Sequence, residues 1–210
     1  MIKNVAIVDY GIGNILSTQQ SFLKVANDNN IKANVMITNQ PRKIAESTHI
    51  VLPGQGAFET CMKGLSSIPY MINELTKSVI SNKTPFLGIC VGMQLLATDS
   101  EENGEHKGLD WIPGHIKKLP NKNLKMPHMG WNEVIPKRTL KKDFFIEENN
   151  YYFVHSYYFE CEDINNILAY TNYGIDFASI VSKENIYGVQ FHPEKSSNQG
   201  LNLIKNFIQI

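Results

Sequence analysis

Through the first hundred positions of the chain, short apolar runs closed by glycine or proline alternate with stretches whose apolar residues recur every three to four positions. NVAIVDY (4–10), ANVMIT (33–38), HIVLPG (49–54) and PFLGIC (85–90) have the length and β-branched content of strands. NILSTQQSFLKVA (14–26), MINELTKSVI (71–80) and VGMQLLA (91–97) have helical spacing. The cores of the first and third runs, VAIV and HIVL, show no polar alternation, as expected of strands covered on both faces, and the strand–helix rhythm predicts βαβ units and a parallel sheet. After Glu101 the texture changes. A polar loop, SEENGEHKG, is followed by GHIKKLP, NEVIP, YYFVHSYYFE, NILAYTN, FASIVS and YGVQFHP, strand-like segments separated by turn residues with little helix. This part reads as mixed or antiparallel. The last segment, NQGLNLIKNFIQI, spaces Leu201, Leu203, Ile204, Phe207 and Ile208 as one closing helix packed on the sheet. The pattern predicts an α/β fold with a central, mostly parallel sheet flanked by helices and an antiparallel C-terminal part.

Composition narrows the class. The 210 residues are 42% hydrophobic and 19% charged, enough for one sizeable core, and with no internal repeat or low-complexity linker the chain reads as a single domain over 1–210. Twenty basic residues balance twenty acidic ones, so no global field recruits nucleic acid or an anionic membrane. Small-molecule and protein partners are favoured instead. The apolar start, MIKNVAIVDYGIGN, is interrupted by Asp9 and followed by glycines, unlike a signal peptide or a span of ~20 apolar residues, which predicts a cytoplasmic protein. Cys61, Cys90 and Cys161 lie far apart without metal-site or disulfide spacing, so any thiol chemistry rests on one of them alone, and no metal or cofactor is expected.

Cys90 stands between Gly88 and Gly92 in GICVG, where an apolar run ends and a helical pattern begins. That is the spacing and context of a nucleophile elbow with sulfur in place of oxygen. The glycines make room for a sharp turn, and the free N–H groups at the start of the following helix, beginning with Val91, can hold an oxyanion. A small buried thiol at a strand end also fits the pentapeptide by itself. A second motif shifts the balance. In GVQFHPEKS, residues two apart on an extended segment face the same way, so Glu194 can orient the imidazole of His192. The order Cys90, His192, Glu194 departs from an ordinary α/β-hydrolase, whose acid precedes its histidine. In LPGQGAF (52–58), Gly54 and Gly56 flank Gln55 at the end of a strand, where a glycine turn can aim a peptide N–H at a carbonyl oxygen.

These pieces together resemble the class I, triad-type glutamine amidotransferases. Within them the chain is most similar to the branch of glutaminase subunits that serve imidazole glycerol phosphate synthase in histidine biosynthesis. VDYGIGN (8–14), LPGQGAF (52–58), GICVGMQLL (88–96), PHMGWN (127–132), YFVHSYY (152–158) and GVQFHPEKSS (188–197) carry the resemblance nearly end to end. It implies a flavodoxin-like fold, a Cys90–His192–Glu194 triad, and an oxyanion hole from Gly56 and Val91. L-Glutamine would be held by Gly54, Gln94, His155, Ser156 and Tyr157. It also implies a heterodimer with a (β/α)8-barrel cyclase subunit that consumes the ammonia, with Asn14, Trp131 and Lys195 at the interface. Gln55 departs from the small apolar residue expected there. Three alternatives remain at this level: a paralogous subunit feeding ammonia to a partner that aminates a surface-sugar precursor, a non-catalytic scaffold, and a cysteine peptidase or γ-glutamyl hydrolase.

Overall fold

A computed structural model describes residues 2–120, 124–137 and 147–210. The both-face apolar runs become a block of parallel strands: β1 (Lys3–Val8), β2 (Ala33–Thr38), β3 (His49–Gly54) and β4 (Phe86–Cys90). All six residues of β3 and all five of β4 are buried, as the absence of alternation requires. The intervening helices are α1 (Ile15–Asp28), α2 (Pro41–Ala45), α3 (Phe58–Ser67) and α4 (Met71–Thr76), the last running into a π-helical turn over Lys77–Ser81. Helix α3 lies outside the segments that periodicity predicted. Its apolar positions Phe58, Cys61 and Leu65 do fall on one buried face, but the flanking glycines and polar residues mask the stripe. A single helical turn, α5 (Val91–Gln94), follows Cys90. The helix expected through Ala97 stops early because the backbone carbonyls of Leu95, Leu96 and Ala97 accept instead from N–H groups of residues 109–112.

Beyond α5 come two-residue strands β5 (Asp99–Ser100), at the edge of the segment expected to be loop, and β6 (His106–Lys107), inside it. Then follow β7 (Gly114–Lys118), β8 (His128–Pro136), β9 (Asn149–His155), β10 (Tyr157–Cys161), β11 (Ile167–Asn172), β12 (Asp176–Lys183) and β13 (Ile186–Val189), and helix α6 (Ser197–Gln209) closes the chain. The strands run in the order β2-β1-β3-β4-β13-β12-β10-β7-β5-β6, with β11 branching from β12 to the β8–β9 hairpin. Pairing is parallel from β2 through β13 and antiparallel from β13 through β12 and β10 to β7. This is the predicted division between parallel and antiparallel parts. Helix α6 buries Leu203, Ile204, Phe207 and Ile208, and the Phe207 ring meets Phe22 of α1 edge-on at 6.3 Å.

In the parallel block, β1 sits between β2 and β3, the position at which a doubly wound sheet reverses its strand order. Ligands in such folds collect at the carboxyl ends of the strands near that reversal. Gly54 is in register with Cys90 at the ends of β3 and β4, and β13 pairs with β4 on its other side, so the GQG turn, the thiol and the segment carrying His192 emerge at one edge.

Candidate active site

Cys90 adopts φ 55° and ψ −111°, a conformation L-residues avoid, at a cost of about 1–3 kcal/mol. Its neighbours impose it. A Cβ on Gly92 would lie 1.8 Å from the carbonyl oxygen of Leu52 on β3, and one on Gly88 would lie 2.5 Å from the oxygen of Gly92. Only bare backbone lets α5 fold back so sharply over the strand ends. The sulfur is thereby lifted off the sheet into a cavity of about 320 Å³, shared with Gln55, Gly56, Val91, Gln94 and His192 on one side and Val154, His155, Ser156 and Tyr157 on the other. A larger groove of about 480 Å³ runs along Glu105, His106 and His115, and no residue of the predicted triad reaches it.

His192 and Glu194 come together by a different route from the one alternation suggests. Glu194 sits in a 3₁₀ turn, Pro193–Lys195, which curls its carboxylate back so that Oε1 lies 2.8 Å from His192 Nδ1. The segment is pinned at both ends. His192 N–H donates to the Tyr152 carbonyl (2.9 Å), and Ser196 Oγ donates to the His192 carbonyl (2.6 Å) while accepting from Tyr152 N–H (3.0 Å). With Nδ1 committed to the carboxylate, Nε2 is left buried, without a hydrogen-bond partner among the described residues, at the cavity it shares with the sulfur. Burial works against a charge on this ring. The sulfur of Cys90 and then Glu194 outweigh it and raise the imidazole to about 10. A thiol, an imidazole that readily holds a proton, and an orienting carboxylate form a set able to attack a carbonyl carbon and protonate its leaving group.

The opposite wall is built on two buried histidines. Tyr157 O accepts from His155 Nδ1 at 2.8 Å, which leaves His155 Nε2 to accept from His128 Nδ1 at 2.9 Å and His128 Nε2 to accept from Asn132 Nδ2 at 3.1 Å. His128 is stacked between Phe153 and Tyr173. Burial, with little to offset it, lowers His128 to about 4 and His155 to about 3. Both are neutral spacers.

The turn after β3 is held from behind. Tyr10 Oη donates to the Pro53 carbonyl at 2.6 Å and the Cys61 thiol donates to the Gln55 carbonyl at 3.5 Å, while Gly56 takes φ +98°, which a side chain would strain. Gly54 lies beside a narrow crevice bordered by Asn14, Thr18, His192 and Glu194 rather than on the main cavity wall.

A sequence model of the class-I glutamine amidotransferase family matches residues 6–210. The chain belongs to that family. Among curated amidotransferase relatives, "Imidazole glycerol phosphate synthase subunit HisH" of Pelagibacter ubique is 44% identical over 99% of this chain and 100% of its own length. "Imidazole glycerol phosphate synthase subunit HisH 2" of Methanococcus maripaludis is 47% identical over 98% of each. In fold, the chain is similar to a crystal structure of a glutamine amidotransferase (TM-score 0.73, 15% identity, 98% of this chain and 99% of the other). A second, from Thermotoga maritima, gives a TM-score of 0.64 at 18% identity, covering 99% and 81%.

On this amidotransferase, Cys90, His192, Gly56, Val91, Gln94, His155, Ser156 and Tyr157 share one cavity, with Glu194 just behind His192. Of the residues expected at an interface, Trp131 is 53% exposed, and both its ring and Lys195 Nζ contact the ring of Tyr152, at 6.2 and 5.9 Å. Exposed Asn14 caps α1 by accepting from Ser17 N–H at 3.4 Å, so it has a local duty as well. Sequence reasoning missed Glu102, which lines the cavity and binds Phe58 N–H at 2.7 Å, and Gln190, buried beneath the sulfur. Gln190 stands two residues before His192, and the alternation used for His192 and Glu194 also puts it on the cysteine's side.

Proposed function

We propose that the chain is the glutaminase subunit of an imidazole glycerol phosphate synthase, a single amidotransferase domain acting in the cytoplasm beside a (β/α)8-barrel cyclase. The observation that carries the chemistry is the convergence of Cys90 and the His192–Glu194 pair on one cavity at the strand ends. The full-length similarity to HisH subunits supports the acceptor and the partner.

In this mechanism His192 takes the proton of the Cys90 thiol, and the sulfur attacks the carboxamide carbon of L-glutamine. The N–H of Val91 and one from the turn at Gly56 hold the oxyanion. His192 then gives its proton to the departing nitrogen, releasing ammonia and leaving a glutamyl thioester. Water attacks the thioester carbon as His192 takes its proton, the C–S bond breaks, and glutamate leaves. Glu194 keeps Nδ1 protonated and the ring aligned throughout. Gln94, His155, Ser156 and Tyr157 shape the glutamine pocket, and the Glu102 carboxylate at the cavity wall is suited to the substrate's α-ammonium group. The face holding Trp131, Lys195 and Asn14 docks the cyclase, which receives the ammonia and converts its phosphoribulosyl nucleotide into imidazole glycerol phosphate and aminoimidazole carboxamide ribotide.

Reconstitution with the cyclase from the same source tests this, with glutamate release and nucleotide conversion measured together. Coupled, near-stoichiometric formation of both products is expected. Glutamate release without conversion of the histidine-pathway nucleotide would point to a different acceptor, such as a sugar precursor.

A further inference from the structure

Gln190 is fully buried next to the reacting sulfur and has no part in the mechanism above. Its backbone N–H is spent on the Ser179 carbonyl at 2.9 Å, which fixes the residue at the end of β13. The orientation of its carboxamide follows from its neighbours. Gln94 Nε2 lies 3.0 Å from the Tyr157 carbonyl and 3.0 Å from Gln190 Oε1. A peptide carbonyl only accepts, so the nitrogen of Gln94 must face Tyr157, and its second hydrogen requires an acceptor. Gln190 therefore turns its oxygen to Gln94 and its nitrogen to Cys90, where Nε2 lies 3.7 Å from Sγ.

We propose that Gln190 is a catalytic residue of the glutaminase, donating its amide N–H to the Cys90 sulfur whenever that atom carries negative charge. The inference rests on Cys90 being the nucleophile. The sulfur is anionic twice in the cycle. Before attack, the N–H raises the thiolate fraction but also lowers its nucleophilicity, so the two effects largely offset. In the second half, water has added to the thioester carbon, the C–S bond breaks and its electron pair returns to sulfur as the carboxyl group of glutamate forms. A donor waiting at that sulfur makes it a better leaving group, with no opposing loss. Gln190 therefore acts chiefly on deacylation, and its link to Gln94 ties the donor to the substrate pocket.

The test compares Gln190→Met with Gln94→Met in the reconstituted complex. For Gln190→Met, the pH at which iodoacetamide alkylates Cys90 at half its maximal rate should rise by about one unit. Its kcat should fall about 10- to 100-fold, and the glutamyl thioester should accumulate in acid-quenched samples analysed by mass. Gln94→Met removes the partner that orients Gln190 but keeps the amide beside the sulfur; it should raise KM and shift the alkylation profile by clearly less than Gln190→Met does. A wild-type profile without thioester accumulation in Gln190→Met overturns the proposal, and so do equal profile shifts in both variants, which would indicate loosened packing. If Gln190→Met does not fold, the wild-type protein decides. The side-chain amide nitrogen resonance of Gln190 should move with the same pH midpoint as alkylation, and a resonance that stays flat overturns the assignment. Failure of the underlying nucleophile reading shows separately, as glutamine hydrolysis that survives Cys90→Ala.

Discussion

His192 and His155 line the same cavity, with His128 behind His155, and the two sides behave in opposite ways. His192 is held up to about 10, whereas His128 and His155 are held down to about 4 and 3. Burial pushes all three in the same direction. What differs is the partners: His192 has a carboxylate on one side and a sulfur on the other, while His155 has a carbonyl and a second imidazole, and His128 has aromatic faces and an amide. A histidine's role here is set by what its second nitrogen meets, since depth is nearly constant.

The comparison breaks most completely at the sulfur. Cys90→Ala in the complex should abolish glutamine-dependent synthesis and leave synthesis from added ammonium intact, measured as nucleotide conversion with each nitrogen source. His192→Ala should lose glutamine-dependent turnover to a similar degree. Glu194→Gln should lose less, on the order of 10,000-fold, because the imidazole remains but its tautomer is no longer enforced. Glutamate release by the three variants ranks them, and wild-type activity in all three would remove the triad.

The other side of the comparison appears in stability. The folded protein keeps His128 and His155 neutral well below the ordinary histidine value of about 6.5, while the unfolded chain takes up protons there. Their contribution to stability should therefore be full above about pH 6.5 and decline as pH falls toward 3, by a few kcal/mol in all, visible as a falling Tm, whereas His192, raised to about 10, contributes fully below about pH 6.5 and loses that contribution as pH rises toward 10. His128→Asn, which cannot take up a proton, should flatten that decline. An equally steep curve in the variant would assign it elsewhere, for instance to His49, which burial also lowers to about 4.

The smallest effect belongs to the outer face. The isolated subunit should hydrolyse glutamine slowly, with activity rising on binding the cyclase and again when the cyclase holds its nucleotide. Trp131→Ala or Lys195→Ala should reduce that stimulation severalfold without altering Cys90 alkylation. Full-rate hydrolysis by the free subunit would show that the turn at Gly54–Gly56 needs no partner to become competent.

Much of this arrangement is legible in the sequence. The elbow is written in Gly88 and Gly92, whose need for bare backbone is local, and the parallel block in VAIV and HIVL, whose lack of alternation follows from two-sided cover. What was hidden depends on contacts distant in sequence. The early stop of α5 is made by residues 109–112 competing for its carbonyls. The curl that brings Glu194 to His192 is a tight turn locked by Ser196 and Tyr152, not an extended strand. The neutrality of His128 and His155 comes from a hairpin that lays them against Phe153 and Tyr173, which periodicity alone could not have paired. Gln190 was in plain view within GVQFHPE, but its meaning requires knowing that β13 lies next to β4.

That adjacency also bears on biogenesis. Residues 86–89 of β4 pair with residues 186–189 of β13, so the two halves of the proposed triad join only after a long loop closes. Such distant pairing is slow relative to local helix formation. On the ribosome, β1 to β4 can assemble while one edge of β4 still awaits its neighbour, and at that stage Cys90 has neither His192 nor Gln190 beside it. A nascent or truncated chain would thus hold an unactivated thiol and an open, fully apolar strand edge, a natural target for chaperones, and hydrolytic competence would arrive with the last few dozen residues.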